Sequence, residues 1–340
     1  GEIARVMADG VRAGALGVST SRTIQHRSRH GYEPGTFALD EELMAIADEL
    51  AGVGRGLFQF VSDKTYAQAE WEWLEHLQSK GVNVTYTLAQ DPGAPEAYLA
   101  NMDANHAATL AGTPTAPQVP TRPTGLLYGL QSTLHPFRAH PSYREIADRP
   151  HAERLAAMCD PEFRARLLAE EPKTKDRFIW YLVNNFAQMY RLGDPADYEP
   201  PKEQGAAAVA EREGRTPQEV IYDWLLEDDG TAMIFMPLGS YVDHDHEAIR
   251  AMIEHPGSIF GLSDGGAHCG LICDASMPTY MLTHWARDRK RGPQLPVELL
   301  VHKQTQATAR VYGLHDRGVL APGMLADINV IDHANLTLHK

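Results

Sequence analysis

Short apolar segments alternate with amphipathic segments over the first 120 residues of the chain. The apolar segments predict buried β-strands at 15–19, 56–61, 82–88 and 116–119. Between and before them, apolar positions recur at helical spacing, which predicts an opening helix that begins near Ile3 and further helices after Asp40, at about 65–78 and at about 94–110. We expect Asp40 to cap its helix. Strands and helices that alternate in this way are typical of βα units on a parallel sheet.

The alternation stops at Thr121 and resumes at Ser258. Residues 121–256 are polar, rich in helical patterns and interrupted by prolines, so we interpret them as a large helical insertion that shapes the pocket. Beyond it, an apolar segment predicts a strand at 259–262, followed by helices at about 277–290 and from Pro296. The alternating pattern of 326–331 predicts one more strand outside this sheet.

Composition narrows the classes of partner. Among 340 residues, 31 are Lys or Arg and 45 are Asp or Glu, a net charge of −14. An acidic surface argues against nucleic acid or an anionic membrane as the main partner, and no apolar run approaches the roughly 18 residues that span a bilayer. No signal peptide opens the chain and its three cysteines are irregularly spaced, so we expect a cytoplasmic protein with a small-molecule substrate. The sequence leaves the oligomeric state open.

Candidate catalytic side chains follow the predicted strands. Asp264 and His268 come directly after the strand at 259–262, with glycines between them that allow a sharp turn. In α/β folds, chemistry is located at the carboxyl ends of the strands. Arg22 and His26 follow the first strand and Arg122 follows the fourth, where they are candidates for binding a substrate carboxylate. Solvated loop side chains are the alternative interpretation of these three residues.

Several segments of the chain together carry a family resemblance: Ser263-Asp264-Gly265, 305–309 with Gly313-Leu314, 316–323, 326–332 and, more weakly, 14–20. They resemble the amidohydrolase superfamily, and most closely its D-aminoacylase (N-acyl-D-amino-acid deacylase) branch. The resemblance implies a (β/α)8 TIM-type barrel, of which this chain would hold a C-terminal fragment that lacks the first strands. The implied organisation is a partial barrel at 1–315, with the insertion at about 121–256, and part of a small β-sandwich at 316–340. The expected reaction is hydrolysis of a C–N amide bond by zinc-activated water.

The resemblance implies that Asp264 is the general base and can also touch the metal. The family's His-x-His pair would lie upstream of Gly1, so the main zinc ligands are expected there. Two further histidines of the family would follow the strands at 56–61 and 82–88. This chain instead has Gln59, Val61, Tyr86 and Thr87 near those places, none of which is a usual zinc ligand. We therefore consider His268 a replacement ligand.

Three functions remain open on the sequence alone. The first is a metal-dependent hydrolase that cleaves an N-acyl amino acid or a related small amide with Asp264 as base. The second is a catalytically silent barrel that binds a ligand or a partner, which the missing histidines favour. The third is a metal-free hydrolase in which Asp264 and His268 act as an acid–base pair. The sequence does not identify the acyl group, the amino acid or its chirality.

Overall fold

We describe the fold from a computed structural model of the chain, which describes residues 1–24, 26–28, 30–63, 68–112, 115–265, 270–272 and 274–338. These residues form strands β1 to β10, in chain order Gly17–Arg22, Arg27–Ser28, Gly31–Tyr32, Leu57–Ser62, Asn83–Thr87, Thr115–Val119, Gly125–Tyr128, Tyr190–Arg191, Ile234–Pro237 and Ile259–Phe260. None of the described helices is long and apolar enough to cross a membrane.

The α-helices are shorter and more numerous after residue 140. In chain order, α1 to α14 are Glu2–Arg12, Asp40–Val53, Gln68–Ser79, Ala97–Leu110, Pro141–Arg144, His151–Met158, Pro161–Leu168, Arg177–Asn184, Ala206–Glu213, Pro217–Gly230, Glu247–Glu254, Met277–Tyr280, Val297–His302 and Thr308–Val311. Two π-helical segments, Met281–Asp288 and Lys303–Ala307, continue α12 and α13, so both predicted C-terminal helices are formed. Three short 3₁₀ turns lie at Pro34–Phe37, Phe186–Gln188 and Lys202–Gln204.

The chain forms two compact units. The first consists of Gly1–Thr121, Glu247–Leu262 and Met277–Leu336. Its centre is a five-stranded sheet in the order β1-β4-β5-β6-β10, and each strand is parallel to its neighbours. The five predicted strands and the parallel sheet are thereby confirmed. Strands β1 and β10 are the edges of this sheet, and no pairing among the described residues closes it into a barrel.

Helix packing on the first unit's sheet follows the apolar pattern of the sequence. Leu43, Ile46 and Leu50 of α2 are buried, as is Trp73 of α3, whose ring meets Phe60 edge-on with centroids 4.7 Å apart. Asp40 is the first residue of α2 rather than its cap, because the N-cap position is Leu39 and no side chain accepts a hydrogen bond there. Three acidic residues in the first turn of α2 instead favour the positive end of the helix dipole.

The predicted strand at 326–331 is wrong. The segment has no regular secondary structure, and Val330 is 97% exposed and Ile328 59% exposed. A strand is stabilised by backbone hydrogen bonds to a neighbouring strand, and none of the described strands pairs with this segment. The β-sandwich implied by the resemblance therefore stays a prediction.

The second unit consists of Arg122–His246, Ser263–Ser276 and Thr337–Lys340. Its core is built from helices α5 to α10 around a three-stranded antiparallel sheet in the order β7-β9-β8. The sequence analysis missed these strands. Two of them have four residues and the third has two, too few for a period to stand out from the surrounding helices. The domain boundaries at 121–256 and 316–340 stay predictions.

Candidate active site

The backbone turns sharply between the last parallel strand and Asp264. Strand β10 ends at Phe260, two residues earlier than predicted, and Leu262 has a φ of 65°. A non-glycine residue in this left-handed region costs free energy and is found disproportionately at functional sites. The carboxylate of Asp264, two residues further on, is exposed. The turn therefore presents an acid to solvent four residues past the end of a parallel strand.

A buried ion pair lies in the same unit as Asp264. The Nη1 atom of Arg122 is 3.1 Å from Oδ1 of Asp274, and each side chain is at most 3% exposed. The Nη2 atom of Arg122 donates a hydrogen bond of 3.1 Å to the Oγ atom of Ser276. The guanidinium also stacks over the ring of Tyr198, 3.8 Å from its centroid. Arg122 is thus held in one orientation by a carboxylate, a hydroxyl and an aromatic face.

The carboxyl of Asp274 has an unusual proton affinity. Burial raises its pKa from 3.8 to about 7, against the attraction of Arg122, and the negative charge of Asp264 raises it further. Here the free-energy cost of removing the carboxylate from water exceeds the gain from its attraction to the neighbouring guanidinium. Asp274 therefore exchanges its proton near neutral pH, in the field of the exposed Asp264. Ionisable groups perturbed in this way are concentrated at functional sites.

A carboxylate–imidazole pair contacts the backbone of Tyr198. Glu199 and His246 are buried, and Oε1 of Glu199 accepts a 3.0 Å hydrogen bond from the backbone N–H of His246. The Nε2 atom of His246 lies 2.9 Å from the carbonyl oxygen of Tyr198, so we assign the ring proton to Nε2. The Nδ1 atom then presents its lone pair 3.6 Å from Oε2 of Glu199. A backbone carbonyl that fixes the histidine tautomer is a common feature of metal-binding histidines.

Arg122 connects the two groups. Its guanidinium forms an ion pair with Asp274, and the charge of Asp264 raises the pKa of Asp274. The guanidinium also stacks on the ring of Tyr198, whose carbonyl oxygen contacts His246. An acid, a carboxyl with a pKa near 7, a guanidinium and a carboxylate–imidazole pair are thus linked within one unit. This set can move a proton, bind an anion and hold a cation.

The other predicted site residues are placed as follows. Arg22 lies in the first unit, where its guanidinium pairs with Glu70 at 3.0 Å and donates to the carbonyl of Ala38 at 2.7 Å. His26 is exposed, with Nδ1 2.7 Å from the Oγ atom of Ser21. His268 lies outside the described residues. The roles given to Arg22, His26, Arg122, His268 and Asp264 stay predictions.

Two of the residues near the positions where the resemblance expects histidines make other hydrogen bonds. Gln59 on β4 accepts a hydrogen bond from Ser19, and Tyr86 on β5 donates to Asn101 and accepts a 2.8 Å bond from Asn105. These side chains tie strands and helices of the first unit together. Neither has the chemistry of a zinc ligand.

Sequence reasoning missed four residues of this cluster: Asp274, Tyr198, Glu199 and His246. Asp274 had a usable signal, because it lies only ten residues after Asp264, the residue on which the resemblance centres. The alternating run Asp243-His244-Asp245-His246 is a second signal of ligand-type side chains. Tyr198 and Glu199 had none, since they precede two prolines that indicate only a break in the chain.

The fold and the site together define a class of protein. A parallel α/β sheet together with a buried cluster of perturbed ionisable groups is typical of an enzyme. The model of the Amidohydrolase family matches residues 1–340, so the chain belongs to the amidohydrolase family, a family of hydrolases. No curated protein and no solved structure matches the chain.

Proposed function

We propose that the protein hydrolyses the C–N bond of an N-acyl amino acid or a related small amide, with Asp264 as general base. One observation carries the proposal: in a chain of the amidohydrolase family, Asp264 is exposed just past the last parallel strand and its charge acts on the buried Asp274. The narrower D-aminoacylase-type specificity rests on the sequence resemblance, and the cytoplasmic location rests on composition.

The reaction needs one proton to move twice. Water adds to the amide carbonyl carbon as Asp264 accepts a proton from it. Asp264 then returns that proton to the nitrogen of the leaving group as the C–N bond breaks, which yields a carboxylic acid and an amine. A positioned carboxylate in this role contributes typically 10²- to 10⁴-fold to the rate.

Asp274 and Arg122 support that carboxylate. With a pKa of about 7, Asp274 is partly protonated at neutral pH, which limits the number of negative charges near Asp264. Arg122 holds Asp274 at 3.1 Å. A substrate carboxylate can reach Arg122 only by exchange with Asp274 or Ser276, because the guanidinium is enclosed. Arg22 and His26, in the first unit, stay proposed contacts for a substrate carboxylate.

The family implies a bound metal, and only some of the residues present fit one. The side chains at the expected strand positions do not fit, as Gln59 and Tyr86 show, but Glu199 and His246 do. Both donor types are zinc ligands, and their ligand atoms lie within 4.8 Å of one another in a buried setting. We therefore propose that these two residues contribute to holding zinc. When bound, a divalent metal acidifies water and polarises a carbonyl.

The test is a comparison of Asp264→Asn with Asp148→Asn, a matched change at an exposed aspartate of the second unit. Amine release is measured on N-acetyl-D- and N-acetyl-L-amino acids, with and without added zinc. We expect Asp264→Asn to lower kcat at least ~100-fold while its circular dichroism and melting temperature stay unchanged, and Asp148→Asn to behave as wild type. Equal turnover by both variants would sink the assignment of Asp264.

A second candidate is metal-independent hydrolysis by a carboxyl pair. The observation that favours it is Asp274, a buried carboxyl with a pKa of about 7 that is coupled to Asp264. Two carboxyls held in different protonation states can serve as acid and base. Activity that survives a strong chelator, and is lost in both Asp264→Asn and Asp274→Asn, would favour this candidate over the zinc-dependent one.

A further inference from the structure

A small cavity in the second unit lies away from the residues of the candidate active site. It has a volume of about 70 Å³. Its walls come from His140, the turn after α7, the end of α8 and Gln218 at the start of α10. Since one water needs roughly 10–15 Å³, the cavity has room for a ligand of about four or five heavy atoms.

The charge of the cavity is negative. Glu170 and Glu171 line it, and no lysine or arginine is among the residues that form its described walls. Glu170 is fixed in place, because its carboxylate accepts bonds from the backbone N–H of Ser142 at 2.9 Å and from the Ser142 hydroxyl at 2.5 Å. Each carboxylate oxygen has two lone pairs, so Glu170 keeps acceptor capacity after both bonds. The cavity thus suits a cation with N–H donors.

His140 supplies an independent indication of a ligand. The residue lines the cavity and is only 5% exposed, yet its Nδ1 atom has no hydrogen-bond partner among the described residues. A buried polar atom without a partner costs free energy, so such atoms call for a bound group. Burial lowers the pKa of His140, although Glu170, Glu171 and the backbone of Phe137 oppose this, and a neutral imidazole can accept a hydrogen bond.

The rest of the wall is apolar. Phe137 and Val183 are each 1% exposed, and the ring of Phe137 meets the ring of His140 at a centroid distance of 5.3 Å. An occupant therefore needs a short hydrocarbon part as well as a donor group. A metal ion fits less well, because His140, Glu170 and Glu171 are not among the described residues whose ligand atoms converge within 4.8 Å.

We propose that this cavity binds a small primary alkylammonium ion. Its ammonium group donates hydrogen bonds to Nδ1 of His140 and to the carboxylate of Glu170, Glu171 adds a second negative charge to the wall, and the alkyl chain packs against Phe137 and Val183. A primary ammonium has three N–H donors, enough for these two acceptors. The proposal is independent of the hydrolytic function proposed for Asp264.

Isothermal titration calorimetry on the full chain tests the ligand chemistry. We expect n-propylammonium chloride to bind saturably. Three probes of similar size should not compete with it: tetramethylammonium, which lacks N–H donors, n-propanol, which lacks charge, and propionate, which has the opposite charge. Equal competition by tetramethylammonium would indicate a non-specific cation effect and overturn the proposal. The proposal would also be overturned if n-propylammonium shows no saturable binding even well above millimolar concentrations, or if manganese chloride alone displaces it.

Variants locate the binding in the cavity. His140→Phe keeps a flat ring but removes Nδ1, and Glu171→Gln removes a charge without touching the bonds between Glu170 and Ser142. Each is expected to weaken propylammonium binding by about tenfold, as for the loss of one hydrogen bond to a charged group. The matched control is Glu162→Gln, at an exposed glutamate of α7, which should bind as wild type. Unchanged affinity in folded His140→Phe and Glu171→Gln would contradict the site.

Discussion

The guanidinium of Arg122 and the carboxyl of Asp274 form an ion pair, 3.1 Å apart and almost fully buried, in which the acid nevertheless has a pKa of about 7. The pair joins two segments that are far apart in the sequence, the end of β6 and the segment after Asp264. Tyr198 and Ser276 complete the enclosure of the guanidinium. The pair therefore links these two segments, and its carboxyl interacts electrostatically with Asp264, the proposed catalytic base.

Removal of one partner should destabilise the protein strongly. Arg122→Met leaves Asp274 buried without its cation, and breaking a buried ion pair costs about 3–5 kcal/mol. Urea unfolding followed by circular dichroism measures this as a lower midpoint with an unchanged slope. The double variant Arg122→Met/Asp274→Leu should recover much of the loss, because no isolated charge remains. A double variant no more stable than Arg122→Met would contradict the coupling.

The stability of the protein should depend on pH through Asp274. The folded-state pKa of this carboxyl is raised from 3.8 to about 7, so the folded state binds more protons than the unfolded state between these values. Its contribution to stability is therefore fully present below pH 3.8 and is lost as the pH rises through 7. The slope is on the order of 1.4 kcal/mol per pH unit. Urea unfolding at several pH values should show this decline in wild type and a flatter profile in Asp274→Asn. Parallel profiles for the two proteins would refute it.

The sequence predicted the parallel sheet well because burial on both faces leaves a direct signal. Strand β4 is a mostly apolar run, and Phe58 on β4 and Val84 on β5 are wholly buried. The tail failed for the converse reason. The alternation at 326–331 is the pattern of a half-buried strand, but a pattern cannot supply the neighbour that a strand pairs with.

The candidate site was predictable only in part. Asp264 was identified by position and resemblance, whereas Asp274 depends on a contact with Arg122 across about 150 residues of sequence. Glu199 and His246 likewise meet only when the second unit folds. Local patterns report the period of an element and the residue at its end. They do not report which distant side chain will share a buried environment, and that environment sets the pKa of Asp274.

A buried lysine should give the opposite pH dependence in the first unit. The Nζ atom of Lys303 donates to the carbonyl of Ser258 at 2.8 Å and to its hydroxyl at 3.0 Å, and burial lowers the pKa of this amine from 10.5 to about 8. The unfolded state then binds more protons between these values. The contribution is fully present above pH 10.5 and is lost as the pH falls through 8. Wild type should gain stability between pH 8 and 9.5 relative to Lys303→Met, at roughly 1.4 kcal/mol per pH unit.

The matched control for Lys303 is Lys290→Met, at an exposed lysine of the same unit. It should keep the wild-type pH profile and change the free energy of unfolding by no more than about 0.5 kcal/mol. Thermal melts at each pH provide a second readout. If Lys303→Met retains the wild-type rise in stability with pH, the amine is not the group responsible.

The proposed metal ligands can be tested without an activity assay. Glu199→Gln keeps the hydrogen bond from the backbone N–H of His246 but removes the charge, and His246→Gln removes the imidazole whose Nδ1 lies 3.6 Å from Oε2 of Glu199. Metal analysis of dialysed protein after zinc loading should find zinc in wild type and at least ~10-fold weaker binding in each variant. Glu203→Gln, at an exposed glutamate four residues from Glu199, serves as the control and should retain zinc.

Because zinc ligands bind deprotonated, zinc should also be released as the pH falls below the usual pKa of histidine, about 6.5. If folded Glu199→Gln and His246→Gln still bind stoichiometric zinc, the metal site lies elsewhere in the chain. The hydrolytic role of Asp264 is then tested separately by Asp264→Asn.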